Sequence, residues 1–326
     1  MQYMQQKQEI YHKSVKKTMI NTHTLRKSIS KEIFKHYQLY IMLLLPISWY
    51  IIFQYLPMYG IQIAFKNFNP IKGIIGSPWV GLKNFNRFFS SFYFWNLIWN
   101  NISLNIYSLI VGFPIPIVLA IIVNEIRGKH FKKVLQNITY IPHFLSVVVV
   151  VGMLYIFLSP QTGLINILLK NLGFQSVAFM EKADWFKTIY VFSDVWQEAG
   201  WASIIYIAAL AGVDASIYEA AIVDGASRFQ RIIYVSIPSI LPTIIILLIL
   251  RIGQLMNVGF EKVLLMQNSL NMSSSDVIST FIYRYGVQQG EYSYTAAVGL
   301  FNSLINFTVL ILANTVAKRK SESSLW

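Results

Sequence analysis

The 326-residue chain is 55% hydrophobic and only 13% charged, with a formal net charge of +13 and a mean hydropathy of +0.50. A water-soluble fold of this length cannot hide so many apolar side chains, so lipid must be its solvent. The absence of cysteine excludes disulfides, thiolate catalysis and cysteine-based metal sites, and the excess of Lys and Arg calls for no nucleic acid, because basic segments beside membrane spans meet anionic headgroups.

Residues 1–37 form a basic tail with Lys16-Lys17, Arg26-Lys27 and no sustained apolar period, which reads as disordered or bound to a membrane surface. Crossing a hydrocarbon core of about 30 Å takes roughly 20 apolar residues. Six stretches qualify: Leu39 to Phe53 (extending toward Met58), Ile102 to Val123, Ile141 to Leu158, Ile189 to Ala211, Ile240 to Val258, and Tyr294 to Val316. The first begins too far from the start, and is too long, for an ordinary cleaved signal peptide, and is read as a retained helix. The expected fold is an all-α integral membrane protein with six transmembrane helices.

In the second stretch Gly112, Pro114 and Pro116 are suited to bending and packing a helix. His143, at the start of the third, reads as a helix-end or interface residue. In the fourth, Asp194, Gln197, Glu198 and Trp201 recur at i, i+3, i+4 and i+7 and share one helical face, which is expected to look at water and not lipid, because ionisable residues in lipid are costly. The fifth carries Arg251 and Gln254 three apart and Asn257 three further on; the sixth carries Asn302, Ser303 and Asn306. The amides equally suit hydrogen bonds between helices, and Arg251 equally suits neutralising Asp194 or Glu198.

Lys and Arg set the orientation. They are dense in the tail (Lys7 to Lys35), after the second stretch (Arg127, Lys129, Lys132, Lys133), between the fourth and fifth (Arg228, Arg231) and at the end (Lys318, Arg319, Lys320), and sparser in the alternate loops. The positive-inside rule therefore expects both termini and the loop after the fourth span in the cytoplasm.

That loop is the most specific feature of the chain. Ser216-Ile217-Tyr218-Glu219 has the Ser-x-x-Glu form of a capping box, so a helix is expected to begin at Ile217. Small residues Ala220, Ala221 and Ala226 slim its surface, and Gly225 permits a turn at its end. Pro238 and Pro242 are expected to start the next apolar segment. A capping box alone needs no partner. The full spacing, Glu219-Ala220-Ala221, Gly225, Val235-Ser236-Ile237-Pro238, resembles the EAA loop of the permease subunits of bacterial ABC importers, with Val and Ile standing where the family pattern has Ile and Leu. Many members carry a Pro shortly before the Glu; this chain has Val213-Asp214-Ala215.

The resemblance extends beyond the loop. Tyr59 to Lys66, Trp79 to Phe85, Gln288 to Tyr294 and the final Ser324-Leu325-Trp326 resemble a carbohydrate branch associated with oligosaccharides and alginate-type polysaccharides, although Trp79, Phe85 and Tyr294 also suit membrane-interface anchors. The resemblance implies a type I permease core in spans 2–6 (about residues 98–316) within a 38–326 transmembrane domain, plus a peripheral N-terminal helix. It also implies a coupling loop (212–238) gripped by an ATPase subunit through Ser216, Tyr218, Glu219, Ala220, Ala221, Asp224, Gly225, Ala226 and Pro238.

The implied partners are a second homologous permease, two ATPase subunits and an external solute-binding protein in a bacterial cell membrane. The implied cargo is a sugar, whose hydroxyls and C–H faces suit the carboxylates, amides, Arg and Trp of the fourth and fifth spans.

No Gly-x-x-x-x-Gly-Lys-Ser/Thr loop is present, so ATP with its Mg is expected in the partner subunits, and no cofactor is expected in this chain. The five His residues show no metal-ligand spacing. An ion-coupled secondary sugar transporter would share the buried charges, but such folds usually show internal repeats, and none is convincing here. A lipid-linked sugar transferase would need an interfacial carboxylate cluster, which the sequence lacks. A sensory sugar-receptor permease is a further alternative.

Overall fold

A computed structural model describes residues 35–320; most of the basic tail and the terminal Ser324-Leu325-Trp326 lie outside the described residues. Apart from isolated bridges at Lys66–Trp79 and Asn69–Gly73, every named element is helical. The chain divides after Gln62.

The described part of the first unit holds α1 (Tyr37–Tyr50), continued by a π-helical turn at Ile51–Tyr55 and a last α-turn at Leu56–Met58. Pro57 has no N–H to return to Phe53, and the ladder widens to i→i+5 just ahead of it. None of the most apolar window of this run is buried within the chain.

The second unit contains α2 (Lys83–Phe89), α3 (Phe94–Glu125), α4 (Lys129–Tyr140), α5 (Val147–Phe157), α6 (Leu164–Asn171), α7 (Ala183–Ala211), α8 (Ala215–Val223), α9 (Arg228–Ile252), α10 (Phe260–Met266), α11 (Ile278–Ile282) and α12 (Tyr292–Lys320). Among the described residues four helical runs are long and apolar enough to cross a membrane: Tyr37–Phe65, α3, α9 and Tyr292–Arg319. Two bent pairs, Lys129–Phe144 with α5 and α7 with α8, raise the number to six if each is one span. Leu304, Phe307 and Leu312 of α12 are about 60% exposed, a cost in water that lipid removes.

Two expected boundaries are corrected. The third stretch is not one straight span from Ile141: a 99° bend separates Lys129–Phe144 from α5. Pro142 sits in a 3₁₀ turn at Ile141–Phe144, Leu145 is extended, and Ser146 caps α5 by accepting from the Val149 N–H at 3.3 Å. The fifth span starts earlier than Ile240 and stops earlier than Val258. Pro238 and Pro242 lie inside the continuous run Arg228–Ile252 and do not start it, because a π-helical turn at Ile232–Ser236 absorbs the missing Pro238 N–H.

The long helix α7 packs against α3, α4, α9 and α10. At Gly200 a Cβ would collide with the backbone carbonyl of Thr139 on α4, so only glycine lets the two backbones approach so closely. Gly112 of α3 plays a milder part, since its Cβ would meet Val195 at an ordinary 3.5 Å. One core layer joins Leu104, Phe186, Tyr190, Val191 and Val263; a second joins Phe88, Leu97, Phe281 and Val298.

The segments between spans are built with side-chain ties to backbone groups that lipid could not satisfy. Asn271 donates to the Met180 and Met266 carbonyls, both at 2.9 Å. The Asp276 carboxylate, 3% exposed, takes Arg284 at 2.7 Å. Arg87 pairs with Glu291 at 2.8 Å and lies 4.3 Å over the Tyr294 ring; the Glu291 bond holds the guanidinium above its ordinary value. Tyr294 is therefore a core residue and no interface anchor.

Candidate functional site

Two groups of nominated residues occupy different settings. The first is the hairpin that follows α7. Asp214, and not Ser216, caps α8: its Oδ1 accepts from the Ser216 N–H at 2.9 Å, and the helix begins at Ala215. The expected Ser216/Glu219 capping box is thus absent, because Asp214 lies where its short side chain reaches the first free N–H groups. That bond holds the Asp214 carboxyl below its ordinary value. A capping box forms instead at Ser227 and Gln230, at the start of α9.

Gly225 has φ +77°, the left-handed turn that ends α8, and the Ala226 N–H reaches back to the Ala221 carbonyl at 2.9 Å. Arg231 donates to the Ala226 carbonyl at 2.9 Å, and the Tyr218 hydroxyl bonds Ser236 Oγ at 3.0 Å. The hairpin is therefore tied to itself and to α9. Ser216, Glu219, Ala220, Asp224, Gly225 and Pro238 are exposed; Tyr218, Ala221 and Ala226 are half-buried. Exposed apolar residues surround them, with Val223 87% and Phe229 70% exposed. Such a surface, locally saturated in hydrogen bonds yet apolar outside, suits protein contact.

The second group lies among the spans. A cavity of about 330 Å³ is lined by Ser108, Gly112 and Pro116 of α3, by Asp194, Glu198 and Tyr206 of α7, and by Leu247 and Arg251 of α9, among others. Its volume is within the range of small-molecule sites, roughly 300–1,000 Å³. A larger groove of about 670 Å³ along α5, α6 and α7, with Phe157, Trp185 and Trp196 on its walls, is almost wholly apolar. It offers little to a hydroxyl-rich or charged solute, so the smaller cavity is the better candidate.

The polar face of α7 is real, but its partners differ from those expected. Gln197 is buried and donates to the Leu145 carbonyl at 3.0 Å, satisfying a backbone acceptor freed by the bend. Glu198 meets His143 Nδ1 at 2.8 Å, and the His143 ring stacks on Trp201 at 4.5 Å with an interplanar angle of 3°. Asp194 faces Lys262 at 3.4 Å, and that Lys lies 5.0 Å from the Tyr190 ring. Arg251 pairs with neither carboxylate; its Nη2 donates to Ser108 Oγ at 2.9 Å. Asp194 and Glu198 are intermediate in exposure, and Trp201 is exposed.

Gln254 and Asn257 were expected on a helical face of the fifth span. They lie in the turn beyond α9, because the chain leaves the helix at Gly253, where a Cβ would press on Leu310. Asn257 Oδ1 accepts from Asn302 at 3.1 Å and Asn306 at 2.9 Å, while Asn306 accepts from the Met256 N–H at 2.9 Å. These three amides tie the turn to α12. They do not line the cavity with Asp194, Glu198 and Arg251.

His143, Lys262 and Ser108 were not nominated from the sequence. The bend at Pro142 aims His143 back at α7, and Lys262 reaches Asp194 from α10; neither approach leaves a local sequence pattern. Among the described residues no group of three or more His, Cys, Asp and Glu could hold a metal ion.

Residues 88–322 match the family described as binding-protein-dependent transport system inner membrane component. The chain is 43% identical over 288 residues to Protein LplB of Bacillus subtilis (strain 168), covering 88% of this chain and 91% of that one. It is 40% identical over 301 residues to the polygalacturonan/rhamnogalacturonan transport system permease protein YteP of the same strain, covering 92% and 94%. It also superposes with a TM-score of 0.83 and 41% identity on a chain of the crystal structure of a bacterial ABC transporter involved in the import of the acidic polysaccharide alginate, covering 90% of this chain and 99% of that one.

Proposed function

The chain belongs to the binding-protein-dependent transport system inner membrane components, and from that premise we propose that it is one of two permease subunits of an ATP-driven importer of an oligosaccharide or polysaccharide-derived sugar. The observation that carries the reading is the hairpin 212–238, a self-tied knob with exposed apolar residues joined directly to α7 and α9, two of the three helices that line the cavity. A partner ATPase holding ATP and Mg grips the knob through Tyr218, Glu219, Ala220, Ala221 and the Gly225 turn. Closure of the ATPase pair rotates α7 and α9, and the cavity changes from facing an external solute-binding protein to facing the cytoplasm. This chain translocates and does not hydrolyse.

Several features support this over an ion-coupled secondary transporter, a transferase or a sensor. The family is described by dependence on a binding protein, and two of the similar proteins above are named for transport of polygalacturonan/rhamnogalacturonan and for import of alginate. A related alginate transporter has been seen with its pentasaccharide-bound periplasmic protein. In this reading residues 98–316 are the permease core and both termini are cytoplasmic.

The test is to purify the intact complex and follow oligosaccharide uptake into proteoliposomes. Uptake should require the external receptor and stop when the ATPase is inactivated. Uptake by the isolated chain under an ion gradient would overturn the proposal. Because the chain has no cysteine, Ile222→Cys gives a single reporter, which should react only from the ATPase side.

A further inference from the structure

The helix α4 and the turn after it leave an apolar stripe with no partner in the chain. Phe131, Val134 and Ile138, continued by Ile141, recur at i, i+3, i+7 and i+10, and each is between 51% and 63% exposed. The other side of the helix carries Lys129, Lys132 and Lys133, and Arg127 stands just before its start. Among the described residues none of these four cations forms an ion pair, and the chain holds no carboxylate from residue 126 to residue 180. Positive charge on one side and bare hydrocarbon on the other is the pattern of a helix that lies in a membrane surface.

The packing fixes its depth. In the importer reading, on which this inference rests, α7 enters from the outer side, and Thr139 of α4 meets it at Gly200. Gly200 is 17 residues beyond Ala183, the start of α7, or about 25 Å at 1.5 Å per residue, against a hydrocarbon core of about 30 Å. The remaining 11 residues carry α7 about 16 Å further, to the coupling hairpin. Thus α4 crosses α7 close to the inner boundary of the core and well short of the hairpin. The 99° bend after Phe144 also turns it across α5 instead of along it. The hairpin's Val223 and Phe229 face a protein partner beyond that boundary, whereas the α4 stripe sits where acyl chains begin.

The geometry points to α4 as an in-plane helix that binds anionic phospholipid of the cytoplasmic leaflet. Phe131, Val134, Ile138 and Ile141 lie against the acyl chains, while Arg127, Lys129, Lys132 and Lys133 meet the phosphates and the negative surface they create. A zwitterionic lipid covers the stripe equally well but leaves the four cations without net counter-charge, so the site selects the anionic headgroup.

The experiment uses the intact complex reconstituted in mixed phosphatidylcholine and phosphatidylglycerol vesicles. Two photoactivatable probes with the same diazirine-bearing acyl chain, a phosphatidylglycerol and a phosphatidylcholine, are crosslinked in turn, and labelling of residues 127–141 is read by mass spectrometry. The phosphatidylglycerol probe should label this segment in clear excess. Lys129→Gln, Lys132→Gln and Lys133→Gln together should lower the excess about fivefold or more, since one cation beside an anionic surface has an effect of that size. The same three positions changed to Arg should keep it. Where the triple variant does not assemble, Lys133→Gln alone, at an exposed position, should lower the excess about twofold, a surface charge being partly screened. Equal labelling by the two probes in the native complex, or an excess unchanged in the Gln variants, overturns the proposal. So does labelling by neither probe with 127–141 crosslinked to an ATPase or to the second permease, which gives the stripe to a protein. The labelling is read without transport, so sugar uptake that needs neither ATP nor receptor would defeat the importer reading while the excess still decides the lipid site.

Discussion

The hairpin after α7 and the polar face of α7 are adjacent in the chain and follow opposite rules. In the hairpin every tie spans 18 residues or fewer: Asp214 to Ser216, Arg231 to Ala226, Tyr218 to Ser236. On the α7 face the ties run 52, 55 and 68 residues, from Gln197 to Leu145, Glu198 to His143 and Asp194 to Lys262. The difference follows from solvent. A loop in water can leave a polar group to water and needs local bonds only to hold its shape. Small hydroxyls in the spans can return to a carbonyl of their own helix, as Ser193 and Ser203 do, but the long polar side chains Asp194, Gln197 and Glu198 take partners from distant segments. The first arrangement frees a surface for another protein, and the second consumes most of its polar groups in holding the helices together.

Breaking the hairpin's outward surface should have the largest effect. Glu219→Lys leaves the internal ties intact and reverses a charge on the exposed face, so sugar uptake should fall roughly thirtyfold, the scale of an interface hot spot, with membrane insertion unchanged. Gly225→Val should act in the same direction, since φ +77° strains any β-branched residue. Normal uptake by both variants would remove the hairpin from the coupling path.

The α7 face should respond more weakly and in a coupled manner. A double-mutant cycle of His143→Ala and Glu198→Gln, read as the thermal stability of the purified complex, should show a coupling of about 1 kcal/mol, kept small because both side chains are partly solvated. Strict additivity would mean that the 2.8 Å contact is not an energetic unit.

The smallest effect sharpens the comparison from the hairpin side. Asp214→Ala should speed hydrogen exchange at Ser216 without altering the α7 contacts. Because the folded Asp214 carboxyl sits below its ordinary value, the cap is intact above the usual Asp range, near pH 4, and its contribution is lost as pH falls through the lowered value. Exchange at Ser216 that is indifferent both to acid and to the substitution would show that the cap does not hold the helix start.

The same contrast explains what could be read from the chain. The spans were legible because hydropathy is a local average, and the hairpin because its Glu-Ala-Ala, Gly and Pro residues keep fixed separations. The shared face of Asp194, Gln197, Glu198 and Trp201 was legible from helical period. Its partners were not: nothing near Glu198 in sequence points to His143, and the alternative that paired Arg251 with Asp194 or Glu198 gives way to Lys262 on the one and His143 on the other. The N-cap of α8 was misplaced by two residues, because Ser216 and the preceding Asp214 compete for the same N–H groups and only the backbone decides between them. Gln254 and Asn257 were misplaced because an apolar run does not reveal that Gly253 ends the helix against Leu310.

The π-helical turn at Ile232–Ser236 makes α9 a rod with a soft joint near its handle, since its wider ladder and the missing Pro238 N–H leave fewer backbone bonds to resist torsion. Tyr218 reaches Ser236, the far edge of that joint. One hydroxyl–hydroxyl bond therefore bridges α8 to the far side of the compliant section, in parallel with the helix and with the Arg231–Ala226 tie.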